Sequence, residues 1–516
     1  MWHVCATNWY INFYIQPPSI IELEKGGGRV GRSSLLESSP FSFIGLEPDG
    51  WVFEYNGRSI KLFCDIKSGD ANIELAGRLG VSPTIAWKLK EQALKLWWPR
   101  SLREVRNLFP MIEREDENVM LAILALFSLK LRNAEERVMG IIIESGNSAG
   151  KSYFAKNLLK PLRDLDNGQK VIELTRLTGP YLERKLKNQN LERKIIYLQE
   201  TKDAPMQLHI ALSEGKLKVG LVERIQGEFK PVEIEAEGHP FLLATTVNWQ
   251  GSPDLIHRCI YMNLDESEEQ TRRIMHFITK QESDPIYKER LRRFSEGCVK
   301  IFRELWERTP DNVEVVVPYL GLIERELIKR PLDVKIRRDW NKLAALLKGS
   351  AILFHKYRPK LKKEEEGITR IMIVSTLDDL KEVLPLFEKG FRQTLTNLSE
   401  KEERVLKALE EFENNNDGLG YATYRELALR TRIPSSTLRH SIIPRLEAKG
   451  YVIVDDESRP HKIERAKGLE RFGINIKDLE KEAKALIEAC IMELELEGWE
   501  RIEDISDLKP SEGEAA

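Results

Sequence analysis

The sequence predicts an α/β core set between a mixed α+β N-terminal domain and a small C-terminal helix-turn-helix module. Three observations predict it. Five short apolar runs, at 138–143, 171–174, 195–198, 241–245 and 259–262, alternate with helical stretches, as buried parallel strands do. A Gly/Ser-rich loop, Ser145-Gly146-Asn147-Ser148-Ala149-Gly150-Lys151-Ser152, follows the first run and opens onto a helical pattern. Far upstream, Asn56-Gly57 separates two alternating runs, 51–55 and 59–63, which is a hairpin signal.

With 516 residues the chain is too long for one small domain; at roughly 150 residues per domain it holds about three units. Apolar residues make up 41% and charged residues 31%, which excludes a wholly disordered or collagen-like chain. The longest apolar stretch, 119–129, is too short to span a bilayer and reads as a buried helix. The first residues, Met1-Trp2-His3-Val4-Cys5, lack the basic and apolar regions of a signal peptide, so a cytoplasmic location without a membrane partner is expected. The five cysteines are far apart, arguing against a disulfide scaffold or structural zinc. Eighty Lys+Arg against 82 Asp+Glu leave a net charge of −2. Any nucleic acid must therefore be met by local patches.

In chain order, 1–68 reads β-rich with a Gly26-Gly27-Gly28 loop, and 70–96 reads helical. The N-terminal domain is taken as 1–115 and the core as 116–285. A mainly helical region follows at 286–395, with 360–366 as a charged, exposed connection. The small module spans 396–470. An amphipathic helix at 476–498 and a frayed tail complete 471–516.

The loop at 145–152 approximates G-x-x-x-x-G-K-[ST], with Ser145 at the first Gly position. Small residues let backbone N–H groups wrap phosphates at a helix N-terminus. Ser145 to Ser152 would cradle ATP, with Lys151 reaching the β- and γ-phosphates and Ser152 ligating Mg²⁺. The strand 195–198 ends in Gln199-Glu200, where Glu200 fits a water-orienting or metal-side carboxylate. Gln199 stands where Asp is usual. Asn248 follows the strand 241–245 and could orient the attacking water. Arg258 could complete a neighbouring subunit's site, and Arg337, opening a later helix with Arg338 and Asp339, could reach the γ-phosphate.

This order of motifs resembles the AAA+ ATPases over roughly 116–360. The stretch 208–219, a helix carrying Glu214 that runs into a hairpin, looks like the minichromosome maintenance helicases. It is also similar to the helicase part of plasmid and viral primase–helicase proteins, which tolerate Gln-Glu here and whose lid resembles Arg337-Arg338-Asp339 with a later His355. The resemblance implies an α/β P-loop AAA+ core with a helical lid, and a hexameric ring with ATP between subunits. Ser145, Gln199 and the N-terminal domain depart from it, and neither zinc cysteines nor a primase carboxylate motif accompany the N-terminus.

The hairpin also reads from the residues alone. The segments 216–225 and 228–234 alternate around Gln226-Gly227, with Pro231 marking an edge strand. Lys216, Lys218, Arg224 and Lys230 would contact single-stranded DNA in a pore. In the module at 396–470, helix, turn, helix and two strands make a winged helix. Ser435 or Ser436 would cap its second helix, Pro444 would kink it, and Ser436, Arg439 and His440 would face duplex DNA. The sequence thus points to an ATP-driven, ring-shaped DNA translocase or helicase acting in replication. Two alternatives stand beside it: an ATP-dependent DNA-binding initiator or regulator that does not unwind, and a nucleotide-gated scaffold with weak hydrolysis.

Overall fold

The computed structural model describes residues 41–504 apart from 49, 56–57, 175–189, 203–205, 226–227, 248, 250–254, 256–257, 329–335, 397–399, 416–420, 449–450, 456–457 and 466–475. Two units separate by their internal contacts. One holds the chain up to Trp97 together with Asp284–Cys298, and the other holds Trp98–Ser283 and the chain from Val299.

In the first unit, β1 (Phe41–Glu47), β2 (Gly50–Tyr55) and β3 (Arg58–Leu62) form an antiparallel meander. Tyr55 pairs with Arg58 across the Asn56-Gly57 position, as the hairpin signal predicts. Helices α1 (Gly69–Leu79) and α2 (Pro83–Leu96) follow, each started by a serine that accepts a main-chain N–H, Ser68 and Ser82. Trp51 anchors the core: fully buried, it donates to Cys64 O at 3.0 Å and meets the Phe294 ring edge-on at 5.6 Å.

The second unit carries a five-stranded parallel sheet of β4 (Gly140–Glu144), β5 (Val171–Leu174), β6 (Ile195–Leu198), β9 (Phe241–Thr246) and β10 (Ile260–Met262), in the order β10-β4-β9-β6-β5. All five expected strands are present. Ile141, Ile142 and Ile143 are fully buried, as suits a strand covered on both faces. Gly140 is required where it stands, because a Cβ there would run into the Leu242 carbonyl on β9. Strands β4 and β9, far apart in the chain, are neighbours at the centre of the sheet, so the chain order reverses there. Ligands of such sheets gather outside the carboxyl ends of the strands at that reversal. The apolar stretch read as a buried helix is α3 (Asp116–Phe127), whose residues Leu121 to Phe127 are all buried.

Between β6 and β9 the chain forms helix α5 (Met206–Glu214) and a long hairpin, β7 (Lys216–Ile225) with β8 (Glu228–Glu237); α4 is Lys151–Leu159, directly after β4. The hairpin forms a two-stranded sheet in which Val222 pairs with Pro231. After β10 come α6 (Glu268–Ser283), α7 (Pro285–Arg308) and α8 (Ile336–Leu353).

The region expected to be mainly helical contains a sheet as well. The segment read as an exposed connection is β12 (Lys360–Glu365), paired with β13 (Ile368–Val374) and with β17 (Glu500–Ile502); β11 (Glu314–Val316) joins β13. The charges concealed it. Leu361 is fully buried, and Lys360 is buried with its ammonium on the His355 and Arg358 carbonyls at 3.1 and 3.2 Å. Helix α9 (Leu377–Thr396) follows.

The last compact cluster is built from α10 (Glu400–Asn415), β14 (Tyr421–Ala422), α11 (Tyr424–Thr431), α12 (Ile443–Ala448), β15 (Val452–Asp455) and β16 (Lys462–Arg465), with strand order β14-β16-β15. Thr423 and Glu426 cap α11 reciprocally. Neither Ser435 nor Ser436 caps the next helix: Pro434 holds the cap position and no side chain bonds there. Residues Leu438–Ile442 are π-helical. The wider turn lies just before Pro444, which has no N–H to donate four residues back. Helix α13 (Ile476–Leu496) precedes β17. Among the described residues no helix is long and apolar enough to cross a membrane.

Candidate functional site

The loop at 145–152 joins β4 to α4 at the carboxyl edge of the sheet. Two left-handed residues shape it, Ser148 with φ 67° and Gly150 with φ 84°. Gly150 adopts this conformation freely, whereas Ser148 carries strain there. Successive turns of this kind expose main-chain N–H groups to one point, beside the positive end of α4. Lys151, buried at the first position of α4, donates to the Ser145 and Gly146 carbonyls at 2.8 and 2.6 Å.

Ser145 is more than a tolerated substitute for glycine. Its hydroxyl donates to Glu144 O at 2.6 Å and accepts from Leu264 N at 2.8 Å. Next to it, Gly146 N–H donates to Glu266. The loop is therefore clamped to the segment between β10 and α6. Glu144 in turn accepts from Trp249 N at 2.9 Å and from the Tyr261 hydroxyl; burial and this carboxylate raise the Tyr261 pKa well above its usual value.

Two strand ends face this loop across the sheet. At the end of β6, Gln199 N donates to Leu174 O at 3.0 Å and its side-chain amide donates to Glu173 on β5. Gln199 is thus turned toward a structural carboxylate. The next residue, exposed Glu200, has φ 46°. Its N–H donates to the Thr245 hydroxyl on β9 at 3.1 Å, and Thr201 N–H donates to the Thr245 carbonyl at 3.0 Å. Beneath them the buried Tyr197 hydroxyl lies beside Thr245 and Ser152, and burial raises its pKa.

A cavity of about 610 Å³ adjoins the loop. Asn147, Ser148 and Tyr153 line one side, and Ile112, Ile274 and Ile278 line another. Gln270, buried in α6, donates to Glu113 O at 2.8 Å and fixes this wall. A small polar loop opening onto apolar walls has the character of a nucleotide pocket. The residues present fit a nucleoside triphosphate: a nest of N–H groups with a lysine for phosphates, and apolar walls for a base.

The remaining sequence candidates are placed as follows. Asn248 lies outside the described residues. Arg258 is half-buried and donates to Ser213 Oγ on α5 at 3.1 Å. Arg337 is exposed in the first turn of α8, beside the buried pair Asp339–Lys342 at 3.1 Å. His355 is a packed core residue, edge-on to Trp98 at 4.6 Å, with its pKa held down to about 4 by burial. On the hairpin, exposed Lys216 pairs with Glu237 at 3.6 Å. The side chains of Lys218, Arg224 and Lys230 lie outside the described residues; by register they stand opposite Glu235, Phe229 and Glu223. Ser436, Arg439 and His440 are all exposed on one helical segment, with the Arg439 guanidinium 5.0 Å over the Tyr424 ring.

Sequence reasoning assigned no role to Thr245, Glu266, Gln270 or the α6 wall. Thr245 had a visible signal, a hydroxyl at the end of an otherwise apolar strand. Glu266 had none, because the acidic run 265–269 reads simply as a helix start.

No known protein-family model matches the chain, and no curated protein matches it in sequence. Among solved structures it is similar to a full-length MCM homolog from Methanopyrus kandleri, with 13% identity over 57% of this chain and 59% of that one and a TM-score of 0.33. It is also similar to a point mutant of Thermotoga maritima RuvB, with 15% identity over 72% of this chain and 97% of that one and a TM-score of 0.24. The chain spans 59% of the length of the Methanopyrus protein. These likenesses are distant, and the functional reading rests on the site.

Proposed function

We propose that the chain is an AAA+-type ATPase that works on DNA as a ring-shaped translocase or helicase. One observation carries the ATPase reading: Lys151 and Ser152 follow β4 and Glu200 follows β6, at the carboxyl ends of two parallel strands with β9 between them, and residues 147–150 of the same loop line a cavity of about 610 Å³. In this reading the N–H groups of 147–151 and the Lys151 ammonium hold the phosphates. Ser152 and Glu200 would stand on the side of a bound Mg²⁺, which would supply charge neutralisation for the phosphates. Glu200 takes a proton from the attacking water or orients it. Asn248 assists with that water, and Arg337 and a neighbouring subunit's Arg258 stabilise the γ-phosphate charge.

The DNA half of the proposal rests on two features. The hairpin extends ten residues in each arm, and Lys216, Lys218, Arg224 and Lys230 would follow the backbone of a single strand in the pore of a homo-hexamer. The helix order and three-stranded sheet between Glu400 and Arg465 support reading 396–470 as a winged helix, with Ser436, Arg439 and His440 toward duplex DNA. The replicative role in this proposal rests on the resemblance of the stretch 208–219 to the minichromosome maintenance helicases. The tie of Gln199 to Glu173 favours one other reading, a nucleotide-gated scaffold with weak hydrolysis.

The test is ATP turnover with and without single-stranded DNA, in the wild type and in Lys151→Ala. The proposal expects DNA-stimulated turnover that falls by about 100-fold or more in the variant. Turnover without strand displacement would point instead to an initiator or regulator. Equal inactivity of both proteins, with DNA binding intact, would leave the scaffold.

A further inference from the structure

The end of β6 is pinned from both sides. Toward β5, Gln199 N donates to Leu174 O and the Gln199 amide donates to Glu173. Toward β9, regular pairing stops at Leu198 opposite Ala244, and Thr245 takes over with two atoms. Its hydroxyl accepts from Glu200 N at 3.1 Å, and its carbonyl accepts from Thr201 N at 3.0 Å. Between these two bonds Glu200 is left-handed, with φ 46°. A glutamate has no local preference for that region, and such a conformation persists only where its surroundings over-determine it. Thr245 is itself fully buried, so its hydroxyl is not free to rotate toward water.

We infer that Thr245 is the positioning residue of the hydrolytic site: its hydroxyl holds the Glu200 backbone in the left-handed turn and thereby sets where the Glu200 carboxylate stands. Thr245 acts through Glu200 and touches no reacting atom. The inference rests on the ATPase reading above and adds a residue that reading does not use. It separates two jobs at nearby positions in the chain, with Thr245 serving the carboxylate and Asn248 serving the water. It also gives a reason for a hydroxyl residue directly after the apolar run 241–244.

The test compares Thr245→Val, Thr245→Ser and Glu200→Gln by steady-state ATP hydrolysis, nucleotide affinity and thermal melting. Valine keeps the shape and removes the acceptor; serine keeps the acceptor. Displacing a catalytic group by a fraction of its reach can cost up to about 100-fold. Thr245→Val is therefore expected to lower kcat by about 10- to 100-fold, with KM and nucleotide affinity within about 3-fold of wild type. Thr245→Ser should retain at least about half of wild-type kcat. The serine variant keeps the test decisive if the valine variant folds poorly: loss of turnover in serine as deep as in valine overturns the inference. So does a wild-type kcat in Thr245→Val while Glu200→Gln is inactive, which leaves the ATPase reading intact. Full turnover in Glu200→Gln also overturns the inference, by removing Glu200 from the chemistry, whereas absence of turnover in the wild type overturns the ATPase reading itself.

Discussion

At the amino ends of the parallel strands, charged side chains are locked to one another. Arg137, just before β4, donates to Glu192 and, through two N–H groups at 2.9 and 2.6 Å, to Leu131 O. Glu192, just before β6, also accepts from His239 N at 2.9 Å. Lys130 is buried against Asp311 at 3.1 Å and Thr309 O at 3.2 Å, and both Lys130 and Lys170 sit over the Trp306 ring, at 4.7 and 5.5 Å. At the carboxyl ends of the same strands the pattern reverses. Lys151 donates to loop carbonyls and Glu200 is exposed. One end commits its charges to stability. The other keeps a cation and a carboxylate in place for a ligand, as a pre-organised site does.

Substitutions at the two ends should therefore fail differently. The largest effect is expected from Glu200→Gln at the carboxyl end. Loss of the base should lower kcat by about 100-fold or more, with nucleotide affinity and melting temperature near wild type; rapid-quench hydrolysis alongside equilibrium binding would check this. At the amino end, Arg137→Met takes one partner from half-buried Glu192, with His239 N and Arg193 remaining, and should cost about 1–2 kcal/mol of stability. Urea unfolding would measure that, and ATP affinity of the folded variant should be unchanged. A loss of affinity as large as the loss of stability would break the distinction between the two ends.

The smallest effect concerns Lys170. Burial lowers its pKa from 10.5 to about 8. Between about 8 and 10.5 the unfolded chain holds a proton that the folded chain has released, so stability rises with pH across this window. Below about pH 8 both states are charged and the folded state carries the full penalty. Lys170→Met should be the more stable protein at about pH 7, and the difference between it and wild type should shrink as pH approaches 10.5. Parallel denaturant titrations at about pH 7.5 and about pH 10 would reveal the change.

The sheet was legible because buried parallel strands are continuous apolar runs, and residues such as Ile141 to Ile143 leave little alternative. The phosphate loop was legible because its chemistry is local in sequence. What escaped reading is long-range or disguised. Thr245 and Glu200 are 45 positions apart, and nothing in either segment announces their bond. Glu266 reaches Gly146 across 120 positions. The strand Lys360–Glu365 hides behind lysines and glutamates, since Leu361 alone carries its fully buried face and the Lys360 ammonium is hydrogen-bonded to carbonyls that no sequence pattern announces.

The most direct measurement is an equilibrium titration of a fluorescent ATP analogue with Mg²⁺ into wild type, Lys151→Ala and Arg137→Met. The account predicts saturable binding to wild type and to folded Arg137→Met with the same affinity, and weakening by at least about 30-fold in Lys151→Ala. Equal affinity in wild type and Lys151→Ala, or binding lost with Arg137 rather than Lys151, would contradict it.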